Sequence, residues 1–247
     1  AILMGASGTG KSTLTAALLT HHARHVGPAA YITLELDPPE VATRVIGAHH
    51  GASWTDVLHG RVAANNMTEA LPERLTIVDG GSDPIAALTS AVEDLRAEYG
   101  SEPILAAVDY VQIAGLRGDD VRVSTARVLE GLRVASKELR IVTVGVSQSS
   151  RQGARELRTG ERIGAETLDA GAETAQIERA AYLTLALGAA RPADPDGWAP
   201  TELSIGKSRF GGGDRVIPVA YHGAHGRWKV LGAAQLAAEV RAARTSE

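Results

Sequence analysis

Residues 1–13 read Ala-Ile-Leu-Met-Gly-Ala-Ser-Gly-Thr-Gly-Lys-Ser-Thr, an apolar run that passes straight into a glycine-rich turn. From Gly5 through Ala6, Ser7, Gly8, Thr9, Gly10 and Lys11 to Ser12, the stretch matches G-x-x-x-x-G-K-[ST] at every fixed position. Leu14, Ala17 and Leu18 then begin a helical pattern. Strand, glycine loop and helix, in that order, form the context this phosphate-binding motif requires. The glycines let backbone N–H groups converge on phosphate oxygens without Cβ clashes, and the helix start adds its positive dipole end. Lys11 is expected to neutralise the β/γ oxygens, Ser12 to ligate Mg²⁺, and Thr13 to close the cradle. The expected ligand is a nucleoside triphosphate, read as ATP.

A magnesium ion also needs a carboxylate, normally at the end of a buried strand. Pro103-Ile-Leu-Ala-Ala-Val-Asp109 is an apolar run whose first charge stands at its C-terminal end, where open α/β sheets place their ligands. Asp79, after Leu75-Thr-Ile-Val78, has the same form. It competes with Asp109 for the metal, or else serves as a polar strand end or helix-entry turn.

Apolar β-branched runs alternate with helical patterns along the chain, which implies a mostly parallel sheet covered by crossover helices. Strands are expected near 1–4, 30–35, 75–78, 104–109, 141–147, 180–187, 202–206, 215–220 and 227–231. Ile85, Leu88, Val92, Leu95 and Tyr99 form one stripe of a helix, with Asp83 at its N-cap and Pro84 at its first position. Asp37-Pro38 repeats that device before a helix through Val41, Val45 and Ile46, and a further helix is expected over about 125–139. Beyond Gly188 the pattern changes to closely spaced strands joined by GGGD and HGAHG turns, an antiparallel set at one edge of the sheet. A core over 1–232 and a surface helix with a tail over 233–247 are the expected domains.

At 247 residues the chain can bury the core of one large domain, and its 44% apolar content is ordinary for a globular protein. The absence of Cys excludes disulfides and thiolate metal sites and is compatible with a reducing compartment, so a cytoplasmic location is expected. A net charge of −4 provides no general basic field, so contact with nucleic acid would be local. The strand that begins at Ala1 without a lead-in reads as a core cut from a longer chain.

Further motifs narrow the class. Asp109-Tyr110-Val111-Gln112-Ile113 resembles the D-Y-[LV]-Q-[LI] nucleotide motif of DnaB-type replicative helicases, a branch of the RecA-like ATPases. The stretch from Ser124 through Lys137-Glu138-Leu139 to Ser147-Gln148-Ser-Ser-Arg151 resembles the helix and S-Q-x-x-R strand end that follow in that family. Tyr31-Ile-Thr-Leu-Glu35-Leu resembles the S-L-E-M strand, and Lys207-Ser-Arg209-Phe-Gly resembles K-x-R-N-G. The likeness runs over roughly 1–230 in the family's order. It implies a RecA-like fold, an ATP-hydrolysing motor, a homo-oligomeric and hexameric ring, and single-stranded DNA as track.

The resemblance implies roles residue by residue. Glu35 is the residue that activates water, expected at the end of the strand next to the P-loop strand. Gln148 senses the γ-phosphate. Lys207 and Arg209 alternate on a strand, so both would face one way and reach a neighbouring subunit's nucleotide. Arg151, Arg155 and Arg158, in a glycine-bearing loop, and Arg122, in a second loop, are candidate contacts to DNA phosphates, or else parts of solvated mixed-charge loops. The family's R-E-S-G-x-I-E-Q-D-A-D stretch survives only in part over 168–181. That departure and the acidic balance keep open a RecA-superfamily ATPase that is not a helicase, such as a recombination mediator or an assembly-switching ATPase.

Overall fold

Among the described residues, nine strands form a single sheet in the order β3-β2-β4-β5-β1-β6-β7-β8-β9. The computed structural model describes residues 1–62, 71–112, 121–148, 181–213 and 215–232. The parallel part consists of β1 (Ile2–Gly5), β2 (Ala29–Thr33), β3 (Leu75–Asp79), β4 (Leu105–Asp109), β5 (Val142–Gln148) and β6 (Leu183–Leu187). The strands β7 (Trp198–Ser208), β8 (Arg215–His222) and β9 (Arg227–Val230) continue it antiparallel. The expected α/β class, with its C-terminal antiparallel strands, is therefore the observed one.

Alternation along the strands divides the core into two. Ile2, Met4, Ala30 and Ile32 pack beneath α4 (Pro84–Tyr99) and α5 (Val121–Glu138) through Leu88, Val92, Leu95 and Leu132. Leu3, Ala29 and Tyr31 face the other way, against α1 (Lys11–His25) and α2 (Pro38–His50) through Ala16, Leu19, Val41 and Val45. Buried on both sides, β2 and β4 have no polar-out alternation, which is the pattern of a covered parallel sheet. Close packing demands small residues at contacts: a Cβ on Gly27 would stand 2.4 Å from the Pro103 carbonyl oxygen.

The helix entries follow the sequence signals unequally. Asp83 caps α4 by accepting from the N–H groups of Ile85 and Ala86, at 3.2 and 3.0 Å. Asp37 occupies the same position before Pro38, but its side chain makes no capping bond. Helix α5 begins at Val121, earlier than expected, because the apolar spacing extends one turn back; Arg122 therefore stands on a helix and not in a loop. A short helix, α3 (Trp54–Leu58), was not anticipated. It is too short to show a period, and its Trp54 N–H donates to the Ala224 carbonyl 3.1 Å away in the β8–β9 turn. Residues 149–180, with Arg151, Arg155 and Arg158, and the expected C-terminal helix over 233–247 lie outside the described residues.

Leu88, fully buried under the sheet, measures the strength of this core. Leu88→Ala is expected to cost about 2–5 kcal/mol, read as a lowered urea midpoint with an unchanged slope.

Candidate nucleotide site

The chain turns from β1 into α1 through Gly8 and Gly10, whose φ values of 78° and 92° are left-handed and cheap only for glycine. Gly10 is also the N-cap of α1 and has no side chain with which to cap it, which leaves the first-turn amides to an incoming anion. A Cβ at Gly5 would meet the Leu187 carbonyl and Thr9 Oγ1, both at 2.9 Å. Thr9 Oγ1 and Lys11 Nζ each donate to the Ala6 carbonyl, at 2.9 and 2.7 Å, and close the loop on itself. Burial pulls the Lys11 ammonium below its ordinary range, while the charges of Asp109 and Glu35 draw it back up.

The carboxylates arrive from the sheet. Asp109 ends β4, is 3% exposed, and accepts a short hydrogen bond from Tyr31 Oη through Oδ2. Tyr31 is buried too, and that burial, reinforced by the Asp109 charge, holds its phenol well above the usual range, so it stays a donor. Its Oη also lies 3.5 Å from the Ser12 carbonyl. The strand residue Tyr31 thereby links the two residues expected to hold a metal. Asp79 ends the edge strand β3 and accepts from the Gly81 N–H at 2.9 Å, the turn role that was its alternative to metal binding.

Glu35 lies two residues past β2 in a turn clamped by Thr33, whose hydroxyl donates to the Leu36 carbonyl at 2.6 Å and accepts from the Leu36 N–H at 3.2 Å. The strand carrying it was expected next to the P-loop strand. It is separated from β1 by β4 and β5, because β1 sends its helix past two strand positions before the chain returns. Gln148 ends β5 directly opposite Gly5. Gln112 pins it there, donating to the Gln148 carbonyl at 2.9 Å and accepting from the Gln148 N–H at 3.1 Å.

Lys11, Ser12, Glu35, Asp109 and Gln148 thus line one cleft of about 240 Å³. The donor set fits a triphosphate with a hard cation: backbone amides and Lys11 for the phosphates, the Asp109 carboxylate and the Ser12 hydroxyl for Mg²⁺. Three further lining residues received no role from the sequence. Arg44 reaches the cleft from α2, its guanidinium 5.1 Å above the Trp54 ring. Tyr110, which follows Asp109, has its phenol raised by burial and then by Glu35 and Asp109. Tyr221 of β8 stacks on Trp228 of β9 at 4.6 Å and sets its Oη 3.4 Å from Thr13 Oγ1. A Cβ on Gly10 would come 2.9 Å from the Trp228 ring, so the hairpin rests on the glycine loop itself. No local pattern announces a contact across more than 200 residues of sequence.

Lys207 and Arg209 are not at the cleft. Lys207 is in β7, but the strand ends at Ser208, so Arg209 lies just beyond it and the expected alternation on one strand face does not reach Arg209. Its N–H still donates to the Tyr182 carbonyl at 2.9 Å, and its guanidinium lies 5.0 Å above the Tyr182 ring. Gly5 pairs with Leu187, and past a bulge in β7 the Arg209 N–H meets the Tyr182 carbonyl, so Arg209 stands five residues along the strand direction from the level of the glycine loop. At the rise of an extended chain that is roughly 17 Å.

A glycine loop between β1 and α1, facing a buried aspartate at the end of β4, on a sheet that is mostly parallel, defines a P-loop NTPase with the RecA-like fold. The chain belongs to the DnaB-like helicase C-terminal domain family, whose model matches residues 1–229. Among solved structures, one described as an ATPase domain superposes with a TM-score of 0.74 at 18% identity, over 94% of this chain and 84% of that one. A structure described as a DnaB-like replicative helicase and its interactions with primase gives a TM-score of 0.76 at 17% identity. There the match covers 94% of this chain but 58% of the other, so the chain spans little more than half of that protein's length. A search of curated proteins finds no match. Among the described residues, no helix is long and apolar enough to cross a membrane.

Tyr31→Phe keeps the ring and removes the hydrogen bond to Asp109. It is expected to raise the Mg²⁺ concentration needed for half-maximal ATP turnover by about 10–100-fold, the usual effect of an outer-shell partner. Nucleotide binding in EDTA should stay unchanged, and a fluorescent ATP analogue would measure it.

Proposed function

We propose that the chain is the ATP-hydrolysing motor domain of a ring helicase, coupling Mg²⁺-ATP hydrolysis to translocation along single-stranded DNA. The observation that carries this reading is the meeting of Lys11, Ser12, Glu35, Asp109 and Gln148 at one cleft in a chain of this family. Phosphoryl transfer needs positioning and charge stabilisation more than covalent chemistry, and these residues supply both. The amides of the glycine loop bind the phosphates, and Lys11 exchanges its bond to the Ala6 carbonyl for a phosphate oxygen. Ser12 and Asp109 hold the metal, which when bound neutralises charge developing on the phosphate oxygens. Glu35 orients the attacking water and accepts its proton. The Tyr221 ring offers a face to the base.

Gln148 is an uncharged hydrogen-bonder fixed at the loop's own level, and the chain continues from it towards Arg151, Arg155 and Arg158. A change at the γ-phosphate can therefore be passed to a segment carrying the charges that DNA phosphates require. Arg209 stands too far along the sheet to serve its own cleft, which supports a finger acting on a neighbouring copy, with Lys207 beside it, in a hexameric ring.

The partial 168–181 stretch and the net charge of −4 favour one other reading, a RecA-superfamily ATPase that switches assemblies without unwinding. Unwinding of a forked duplex and stimulation of turnover by single strands decide between them; ATPase activity indifferent to DNA would sink the helicase reading. Lys11→Ala and Glu35→Gln are each expected to lower turnover at least 100-fold, with Glu35→Gln still binding ATP. Arg209→Ala should abolish turnover yet bind nucleotide, and mixing it with Glu35→Gln subunits should restore part of the activity. Equal loss of binding and turnover in Arg209→Ala would place the residue in a cis or structural role.

A further inference from the structure

Helices α1 and α2 lie side by side, and the β8–β9 turn closes over them: a Cβ on Gly226 would come 3.1 Å from Thr13 Cγ2. Between these elements runs a groove of about 350 Å³. It is distinct from the nucleotide cleft but shares Thr13 and Arg44 with it. Its floor is made of small side chains, Ala16, Ala17, Ala48 and Gly226. The titratable groups among the described residues that line it are all basic: His21, Arg24 and His25 from α1, Arg44 and His49 from α2, and Arg227 from β9. Among the described residues lining it there is no carboxylate.

Some of that charge serves the helices. Basic groups favour helix C-termini, and Arg227 answers the end of α2 directly, donating to the Ala48 and His49 carbonyls at 2.7 and 3.1 Å. This accounts for Arg227 and for the basic residues in the two last turns. It does not account for Arg44, midway along α2, or for His21, ahead of the last turn of α1. A second observation bears on the same place. Among the described residues, Thr20 Oγ1, Arg44 Nε and Trp228 Nε1 are buried and find no hydrogen-bond partner, and all three residues line this groove. Two of these atoms are N–H donors that can never accept. Unused donors behind a rim of one sign match a ligand rich in acceptor oxygens and negative charge.

We infer that this groove is a second anion site, which takes a polyphosphate group such as that of a nucleoside di- or triphosphate and lies outside the glycine loop. Its volume is in the range that holds one small ligand and excludes a duplex. Thr13 and Arg44 face both spaces, so an anion in the groove competes with the cleft for the Arg44 guanidinium and changes affinity at the glycine loop. The coupling must be reciprocal. The inference rests on the groove alone and holds whether or not the chain translocates on DNA.

Equilibrium dialysis of the chain against labelled ATP tests it. Two equivalents per chain are expected at millimolar ATP, a tight one and a weaker one. His21→Ala combined with Arg24→Ala alters only exposed groups; it should weaken the second equivalent about tenfold or more and leave the first in place. Lys11→Ala should do the reverse. Displacement of the second equivalent by pyrophosphate as effectively as by ATP identifies the phosphates as the group recognised; stronger displacement by ATP adds the base. A single equivalent in the wild-type chain, a second one that survives both substitutions, or displacement by adenosine without effect of pyrophosphate would overturn the assignment.

Discussion

Everything at the nucleotide cleft depends on the parallel ladder bringing strand ends to one edge of the sheet. Thr33 pairs with Asp109, Asp109 with Val146, and Gly5 with Gln148. The last residues of β2, β4, β5 and β1 therefore lie along one edge of the sheet, although 143 positions separate Gly5 from Gln148. In a parallel sheet every strand delivers its C-terminal end to the same side, so groups that follow the strands meet without any local instruction to do so. A shift of register by one residue would turn Asp109 to the other face and remove it from Tyr31.

That edge is polar at its rim and dry just beneath, and this contrast sets its chemistry. Asp109 and Lys11 are both largely removed from water, where an isolated charge is costly, and the Asp109 charge offsets part of the effect of burial on Lys11. Tyr31 supplies Asp109 with a hydrogen bond from a phenol that burial keeps protonated. The site is held ready by its surroundings: Thr33 fixes the turn carrying Glu35, and Gln112 fixes Gln148 through both backbone groups. Such support lowers the reorganisation a reaction would require.

The antiparallel extension reaches both edges of the sheet. The β8–β9 hairpin turns back towards the glycine loop, where Tyr221 and Trp228 pack on Gly10 and Thr13. The end of β7 emerges at the opposite edge and presents Arg209 with Tyr182 and the exposed Phe210 beside it. Antiparallel pairing reverses direction at each strand, so the cleft and the arginine are separated within one copy of the chain by construction.

Local patterns alone determined much of this protein. The glycine loop, the helix it opens, the Asp83-Pro84 entry, the apolar run ending in Asp109 and the hairpin turns are written in contiguous residues whose spacing follows from helix and strand periods. Strand order was not legible: Glu35 was placed beside the P-loop strand and is two strands further away, because periodicity describes each strand but not its neighbours. The start of α5 and the short α3 fell to the same weakness at element ends. Arg44, Tyr221 and Trp228 carry no motif, and Tyr31 has no role in the motif stretch it opens, since their part in the site comes from packing between elements distant in sequence. The sequence determined which groups are available and on which elements they ride; the tertiary structure decided which of them meet, because contacts between faces depend on sheet order and register, and neither leaves a trace in any single stretch of chain.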